Sequence, residues 1–268
     1  MDKYKIGDVS KILQISPELI RYYEKIGIIS PKRDPENGYR YYTLSDVNRL
    51  FDGRWLHAYG FPLEQLSKTL YDIDRPDFET DLAERETEIE KNIRYYTDLL
   101  ESMRTFRKKV SLLSSDICFE ECIGPEIFFI PYKVNDEYII AKDDIAELKR
   151  WAAMIPFVNL SFQLVPPAGE NRGLELKEQI GFSIDKTYAD RISFTCDHQR
   201  LQHLRARKAV RTVFSLNEGD DFLEHVNQIV AIAEEKGYKR TFAPFGSRIA
   251  QFREDGVFKR YFEIWIPI

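Results

Sequence analysis

Cysteine and long apolar runs are scarce in this sequence. Its 268 residues include three cysteines, which are Cys118, Cys122 and Cys196. Three is too few, and an odd number, for a disulfide framework, so we expect a reducing compartment. No stretch approaches the roughly 18 apolar residues of a membrane span, and no apolar signal region follows the first residues. These absences predict a cytoplasmic protein that has no membrane partner.

A strong charge of one sign is also absent. The chain has 39 Lys and Arg against 44 Asp and Glu, a net charge of -5, with 43% hydrophobic and 31% charged residues. These values exclude a disordered, a collagen-like or a disulfide-stapled chain, and the length allows one or two domains. The first sixty residues are mildly basic, with ten Lys and Arg against eight Asp and Glu. That end is therefore the one suited to nucleic acid.

Motifs for nucleotides, cofactors and metals are missing as well. The chain has no GxGxxG motif and no P-loop, the patterns that hold nucleotide phosphates. The four histidines have neither a metal-ligand spacing nor a triad context; they are His57, His198, His203 and His225. We therefore expect no cofactor and no bound metal.

The chain begins with two short predicted helices. Apolar residues recur at helical spacing between Ile6 and Leu13, which predicts the first helix. Ser16-Pro17 starts the second, because serine caps a helix and proline fits its first position without losing a hydrogen bond. Two short helices joined by a tight turn predict a helix-turn-helix. The outer faces of the second helix carry Glu18, Arg21, Tyr22 and Glu24.

A short hairpin is predicted next. Asn37-Gly38 is a favoured pair for a hairpin turn that needs positive φ. Its flanks are basic and aromatic, with Arg33, Arg40, Tyr41 and Tyr42. Such a hairpin beside a helix-turn-helix is a wing. A capping box at 43–46 then opens a further helix, which the segment 60–62 ends.

A long helix with a heptad seam is predicted after residue 76. From 77 to about 113 there is neither Gly nor Pro, and a helix of this length would run roughly 55 Å. Apolar residues recur every seven residues, with companions three or four further on, so the helix must pack against a partner, most simply a second copy. The seam residues are Leu82, Ile89, Ile93, Tyr96, Leu100, Met103, Phe106 and Val110.

The remainder has the pattern of an α+β domain. Helices are expected at about 143–154 and 219–236. The alternating apolar runs are 127–130, 160–164, 180–184, 210–214 and 262–266. The order of one strand, one helix and two strands repeats, which indicates an internal duplication with a groove between the halves.

Several spaced motifs resemble the winged-helix domain of the MerR transcription regulators. They are 4–13 (YKIGDVSKIL), 21–29 (RYYEKIGII), 37–42 (NGYRYY) and 60–66 (GFPLEQL). The resemblance covers about residues 1–70, and the long helix matches the antiparallel dimer helix of that family in place and length. The remainder, with its ending YFEIWIPI, is similar to the gyrase-inhibitor-like effector domain, which binds bulky and often cationic compounds.

The resemblance implies a multidomain α and α+β protein. It would have a winged-helix DNA-binding domain at 1–75, a dimerisation helix at 76–115 and a duplicated effector-binding domain at 116–268. The implied partners are double-stranded promoter DNA, RNA polymerase, a small-molecule effector and a second copy of the chain. In that family the dimer distorts an over-long promoter spacer, which costs free energy because the DNA is deformed. An effector can alter this balance only if it binds two states of the protein with different affinities.

Specific DNA contacts follow from the matching positions. The implied residues are Ser16, Pro17, Glu18, Arg21 and Tyr22 in the second helix, and Arg33, Arg40 and Tyr41 in the wing. Helix N-termini and arginines hold phosphates, and polar side chains on such a helix reach base edges. The alternative is that Tyr23, Tyr41 and Tyr42 complete a small core.

Glu263 is the sharpest single-residue prediction. In the last strand its side chain shares a face with Tyr261 and Trp265, and an acid flanked by rings suits a buried organic cation. The resemblance places it where that family has its pocket glutamate. The alternatives are a solvated strand face, or a pair with Arg260 or Arg248. Candidate pocket walls, each of which could instead be core, are Trp265, Tyr261, Trp151, Tyr132, Phe128, Tyr188 and Phe245.

Two other functions stay open at the level of sequence. Some gyrase-inhibitor-like domains are hydrolases, and Glu175 or Glu178 could pair with Glu263 for acid–base chemistry. The fused DNA-binding head argues against this as the main role, so we expect no enzyme. Cys118 and Cys122 could belong to a metal or thiol sensor, although their spacing is tighter than that of the metal-sensing relatives.

Overall fold

The computed structural model describes residues 3–113, 117–135, 137–141, 144–166, 176–254 and 256–268. The chain divides into two compact units, residues 1–96 and 97–268. The sequence predicts three segments instead, because it gives the long helix a segment of its own. None of the residues of that helix, all of which the structure describes, is buried, so the helix has no core of its own.

The first unit is helical with one small hairpin. Helices α1 to α4 are Ile6–Leu13, Pro17–Lys25, Leu44–Ala58 and Leu66–Tyr71, with a single 3-10 turn at Leu63–Gln65. Strands β1 and β2 are Lys32–Arg33 and Arg40–Tyr41. The predicted helix-turn-helix and wing are both present.

The caps that the sequence predicts are formed. The Ser16 hydroxyl accepts a hydrogen bond from the backbone N–H of Leu19, 3.2 Å away, and Pro17 is the first residue of α2. Thr43 and Asp46 exchange the two hydrogen bonds of a capping box at the start of α3. These bonds satisfy N–H groups that a helix start leaves without partners, so both helices begin where the sequence places them.

The wing differs in one detail from the predicted turn. Gly38 has a φ of +73°, but Asn37 is not among the residues with positive φ. The Asn37 side chain instead accepts a hydrogen bond from the N–H of Tyr39, 2.9 Å away. A two-residue Asn-Gly turn would need positive φ at both positions, so this loop is longer and is closed by side-chain as well as backbone bonds.

The core of the first unit contains two tyrosines whose hydroxyls are buried. Tyr23 and Tyr42 are both fully buried among the apolar residues of this unit. Neither hydroxyl has a hydrogen-bond partner among the described residues. Burial raises the pKa of Tyr23 and of Tyr42. The core interpretation is therefore correct for these two residues.

Tyr23→Phe is expected to raise the free energy of unfolding by about 1 kcal/mol, because it removes a hydroxyl that lost its water without gaining a partner. Urea unfolding of the variant and the native protein measures the difference. Tyr39→Phe is the matched control, since Tyr39 is 76% exposed and should change nothing. A clear loss of stability in Tyr23→Phe would mean that the hydroxyl is hydrogen-bonded.

Helix α5 is the long predicted helix. It runs without interruption over Arg75–Ser111, which is 37 residues. Its length equals that of the predicted 77–113, and it begins two residues earlier because Pro76 is tolerated in the first turn. Its first turns pack on the first unit, where Phe78 and Leu82 contact the core. Leu82 therefore has a packing role inside the chain.

The described residues of the second unit form one antiparallel sheet with three helices besides the end of α5. The strands β3 to β7 are Glu120–Ile123, Ile127–Val134, Glu137–Tyr138, Val158–Val165 and Lys177–Asp185. The strands β8 to β11 are Gln202–Leu204, Lys208–Asn217, Phe245–Glu254 and Val257–Pro267. The helices α6, α7 and α8 are Asp144–Ala152, Lys186–Arg191 and Phe222–Glu235.

The predicted duplication is confirmed by the sheet order. The strands follow one another as β3-β9-β11-β10-β6-β7-β4-β5, with β8 beside β4. The halves β4-α6-β6-β7 and β9-α8-β10-β11 therefore have the same order and meet where β6 pairs with β10. At that junction Ser161 lies opposite Ser247, and Gln163 lies opposite Phe245.

Alternation along β11 separates a core face from a cavity face. Ile264 and Ile266 are buried in the core that α8 covers, together with Phe214 of β9. Glu263 and Trp265 point to the other face, because successive side chains of a strand alternate. The same sheet therefore builds a core on one side and a site on the other.

Of the helices that the structure describes, none has both the length and the apolar composition that crossing a membrane requires.

Candidate functional site

The exposed face of α2 is the first candidate surface. Arg21 is exposed beside Glu18, with their charged groups 3.7 Å apart, and Tyr22 is partly exposed. Hydrogen bonds from its own backbone N–H and from the Ser16 hydroxyl lower the pKa of Glu18. The N-terminus of α2 and its polar side chains are thus presented together, while Ile20 is buried beneath them.

The three predicted residues of the wing have different contacts. Arg33 is exposed, and Nη1 lies 3.4 Å from the carbonyl of Gly38. Nε of Arg40 lies 3.0 Å from a carboxylate oxygen of Glu24 on α2, so this pair connects the wing to the second helix. Tyr41 is partly exposed, and the Lys3 ammonium lies 4.6 Å from its ring centre. A DNA contact by Arg40 would have to compete with Glu24.

Most of the predicted seam is open within the chain. Apolar residues with large exposed side chains follow one face of α5: Ile89, Ile93, Tyr96, Leu100, Met103 and Phe106. Val110 is partly buried. A stripe of this length on a continuous helix is unusual for a surface that faces only water, so it is the candidate surface for a second copy.

The second unit contains a cavity of about 440 Å³ on the Glu263 face of the sheet. Its floor is formed by β6, β7, β10 and β11, and its walls by the last turns of α5, by α7 and by the segments around Pro125 and Pro156. Polar floor residues include Ser161 and Ser183, whose hydroxyl oxygens are 2.7 Å apart. The cavity lies where the sequence predicts a groove between the two halves.

Glu263 is buried beneath this floor, where it contacts the lining residues Lys109 and Ser247, and is already paired. It is 1% exposed, and Nζ of Lys109 contacts its Oε1. The hydroxyl of Ser247 donates to the same oxygen over 3.2 Å, and Nη2 of Arg211 lies 3.1 Å from Oε2. The alternatives of a solvated face, or of a pair with Arg260 or Arg248, are therefore wrong. Neither Lys109 nor Arg211 was predicted at this site.

Three of the aromatic residues that the sequence suggests as pocket walls do line the cavity. Trp265 and Phe245 stack with ring centres 5.4 Å apart, and both line the cavity. Tyr188 of α7 lines it too and stacks on Phe157 at 4.1 Å. Gly246 keeps β10 close to β11 here, because a Cβ at that position would lie 2.2 Å from the carbonyl oxygen of Glu263.

The structure places the other four predicted wall residues elsewhere. Trp151 is fully buried in a core and donates to Glu147 over 2.8 Å. Phe128 packs on His203, 4.9 Å away between ring centres. Tyr132 lines a separate shallow groove, and the Tyr261 hydroxyl donates to Glu254 over 2.7 Å. These assignments to the pocket are corrected, since aromatic residues fill cores as readily as they line sites.

A charged rim completes the cavity. Nη1 of Arg191, at the end of α7, lies 2.9 Å from a carboxylate oxygen of Asp98 and 2.9 Å from one of Glu101, both on α5. The hydrogen bond from Arg191 lowers the pKa of Glu101. Sequence reasoning missed this rim because α7 is a six-residue helix without an apolar period, although Asp185 gives it a recognisable N-cap.

The hydrolase alternative needs Glu175 or Glu178 beside Glu263, and the described residues do not place such a pair in this cavity. Glu178 lines a second cavity, of about 420 Å³, together with Lys133 and Asp221. Glu175 lies outside the described residues. Both carboxylate oxygens of Glu263 are already engaged, by two cations and a hydroxyl.

The cysteines do not resemble a sensor site in the described part of the chain. No group of three or more His, Cys, Asp and Glu there is arranged to hold a metal ion. Burial raises the pKa of the Cys122 thiol and of the Cys196 thiol. Reactive cysteines have lowered pKa values instead.

Comparisons with known proteins find similarity to regulatory proteins. A family model described as MerR family regulatory protein matches residues 5–42. The Multidrug-efflux transporter 1 regulator of Bacillus subtilis (strain 168) is 32% identical over 108 residues, which are 40% of this chain and 38% of that protein. The HTH-type transcriptional regulator CueR of Escherichia coli O6:H1 is 34% identical over 100 residues, 37% of this chain and 74% of that protein.

A solved structure, a cryo-EM structure of the EcmrR–DNA complex, is 20% identical and covers 98% of both chains with a TM-score of 0.39. The chain spans about two fifths of the length of the Bacillus subtilis relative.

Proposed function

Because the chain belongs to the MerR family, we propose that it is a dimeric transcription regulator that binds promoter DNA and responds to a small-molecule effector. The observation that carries this proposal is that the two units have different functional features. One unit has a helix-turn-helix with a wing. The other has a cavity with aromatic walls and a buried acid, and the last turns of α5 form part of the cavity wall.

DNA recognition is assigned to α2 and the wing. Arg21 and Tyr22 would meet the major groove, with Ser16, Pro17 and Glu18 at the N-terminus of the helix, where backbone N–H groups can hold a phosphate. Arg33, Arg40 and Tyr41 would follow the backbone. Glu18 and Glu24 would then select bases or orient the arginines, since an acid close to phosphates is otherwise unfavourable.

The effector would occupy the cavity on Glu263. Its aromatic walls fit a flat or bulky apolar ligand, and the acid supplies the reason to expect a cationic group. The name of the Bacillus subtilis relative refers to multidrug efflux, which agrees with ligands of that type. By acting on promoter DNA together with RNA polymerase, such a protein would work in the cytoplasm as an activator.

Arg21→Ala is expected to weaken operator binding about tenfold and to reduce the salt dependence of binding by about one counterion, because it removes a cation beside a phosphate. Genome-wide footprinting with the purified protein supplies the operator, and titrations at several salt concentrations give the slope. Arg104→Ala, which removes the same charge from α5 in the second unit, is the control and should leave the slope unchanged. An unchanged slope in Arg21→Ala would refute the assignment to α2.

A further inference from the structure

The carboxylate of Glu263 is neutralised by cations of the chain itself. Nζ of Lys109 contacts Oε1, and the Arg211 guanidinium contacts Oε2 at 3.1 Å. These two positive charges face the one negative charge of Glu263, and the exposed Glu120, whose Oε2 lies 3.9 Å from Nη1 of Arg211, offsets the second. An organic cation that entered the cavity would therefore find the Glu263 carboxylate already neutralised.

The nearby rim does not free the Glu263 carboxylate. Arg191 pairs there with both Asp98 and Glu101, one positive charge against two negative charges. Asp185 accepts hydrogen bonds from the first N–H groups of α7. Arg248 adds a further positive charge to the lining. A cationic effector thus needs one of the two resident cations to leave.

Lys109 is the cation that can leave. Arg211 is held in β9, where it pairs in register with Trp265 of β11 and is 24% exposed. Lys109 lies near the end of α5 and is 35% exposed, with a single nitrogen on the carboxylate. An ammonium on four methylenes is flexible and strongly hydrated, so it can turn toward water without moving the backbone.

We propose that Lys109 is the resident cation of the effector site and determines its specificity. This inference rests on the proposed effector function of the same cavity. A ligand binds Glu263 only if its cationic group replaces the Lys109 ammonium, which keeps the buried carboxylate paired throughout the exchange. A neutral aromatic ligand fills the cavity without displacing Lys109.

The exchange would also act on α5. Phe106, one turn before Lys109, lines the cavity and belongs to the predicted seam. While Lys109 is bound to Glu263, the last turns of α5 are held to the sheet by an ion pair. A cationic ligand breaks that pair and a neutral ligand keeps it, which gives the two ligand classes different effects on the helix.

The test compares a naphthylmethyl-trimethylammonium ion with its neutral analogue, in which carbon replaces nitrogen. If Lys109 occupies the carboxylate in about nine molecules of ten, Lys109→Met should raise the affinity for the cation about tenfold. The affinity for the neutral analogue should change little. Calorimetric titration of each variant gives both values. Lys109→Gln, which keeps a donor without the charge, is a second variant with the same expectation.

Matched controls isolate the charge on Glu263. Lys108→Met removes an exposed neighbour on the same helix and should retain the native ratio of the two affinities. Lys109→Arg keeps a cation that can bind the carboxylate through two nitrogens, so it should not raise the affinity for the cationic ligand. The gain in affinity for the cation that Lys109→Met gives should disappear in the double variant with Glu263→Gln, because the effects of substitutions at two contacting residues do not add.

An unchanged ratio in Lys109→Met and Lys109→Gln would overturn the inference, and so would equal losses for both ligands. If Glu263→Gln still changed the ratio of the two affinities in that case, the effector function would stand without the role of Lys109. If the cation bound no variant, both this inference and the proposal of a cationic effector would be overturned. The DNA-binding function would still be tested separately by operator binding.

Discussion

Ile89→Asp is expected to convert the proposed dimer into monomers at micromolar concentration. Ile89 is 46% exposed in the single chain and belongs to the seam that we assign to a second copy. A carboxylate placed in an apolar interface loses its water without gaining a partner, and a two-fold interface contains the change twice. The dimer Kd should rise by at least about a hundredfold, equivalent to roughly 2.7 kcal/mol. Sedimentation across a concentration series measures it.

Thr87→Asp is the matched control for this change. Thr87 is an exposed residue of α5 two positions before Ile89, and it lies outside the heptad rows. The substitution adds the same negative charge to the same helix, so it should leave the assembly intact. A dimer that survives Ile89→Asp would contradict the seam and would require another surface for association.

Glu263→Gln is expected to change ligand selectivity by about tenfold or more. The trimethylammonium probe should lose affinity, because removing one partner of a buried charge pair typically costs about 2–5 kcal/mol, part of which is recovered here since Lys109 no longer competes. The neutral analogue should change by less than about threefold, or gain slightly. Fluorescence titration that follows Trp265, which lines the cavity, gives both affinities.

The variant Glu254→Gln separates this effect from a general loss of an acid near the end of the chain. Glu254 accepts from Tyr261 and pairs with Lys259, and neither of these partners lines the cavity. Its substitution should leave the selectivity unchanged. Equal losses for both ligands in Glu263→Gln would show that Glu263 serves the fold, and no loss for either would place the effector elsewhere.

Local rules predicted the first unit well. The Ser16 cap, the Thr43 capping box and the glycine of the wing depend on neighbouring backbone groups, so a few adjacent residues suffice to specify them. The long helix was equally predictable, because 37 residues without Gly or Pro and with one apolar row leave few alternatives. Alternation located most of the long strands in the duplicated order of the second unit.

The repeated order implied a strand before the last one, but the sequence did not locate β10, for a physical reason. Its sequence, FGSRIAQFRE, has no sustained alternation, because a register shift near Arg248 and Ala250 interrupts the pleat. This strand nevertheless supplies Phe245 and Ser247 to the cavity. Sequence periodicity reports the faces of regular strands, so an irregular strand at the junction of two halves escapes it.

The sequence by itself determined the classes of element, their order and the alternation that turns Glu263 and Trp265 to the same face of the last strand. Only the tertiary structure decided what surrounds that acid. Lys109, Arg211 and Ser247 are separated from Glu263 by 154, 52 and 16 positions. No periodicity spans such distances, because contacts of this kind depend on how strands pair and where α5 ends. The same limit explains why Trp151 and Tyr132 were assigned to the pocket: a sequence marks a side chain as apolar, and packing determines whether it fills a core or lines a cavity.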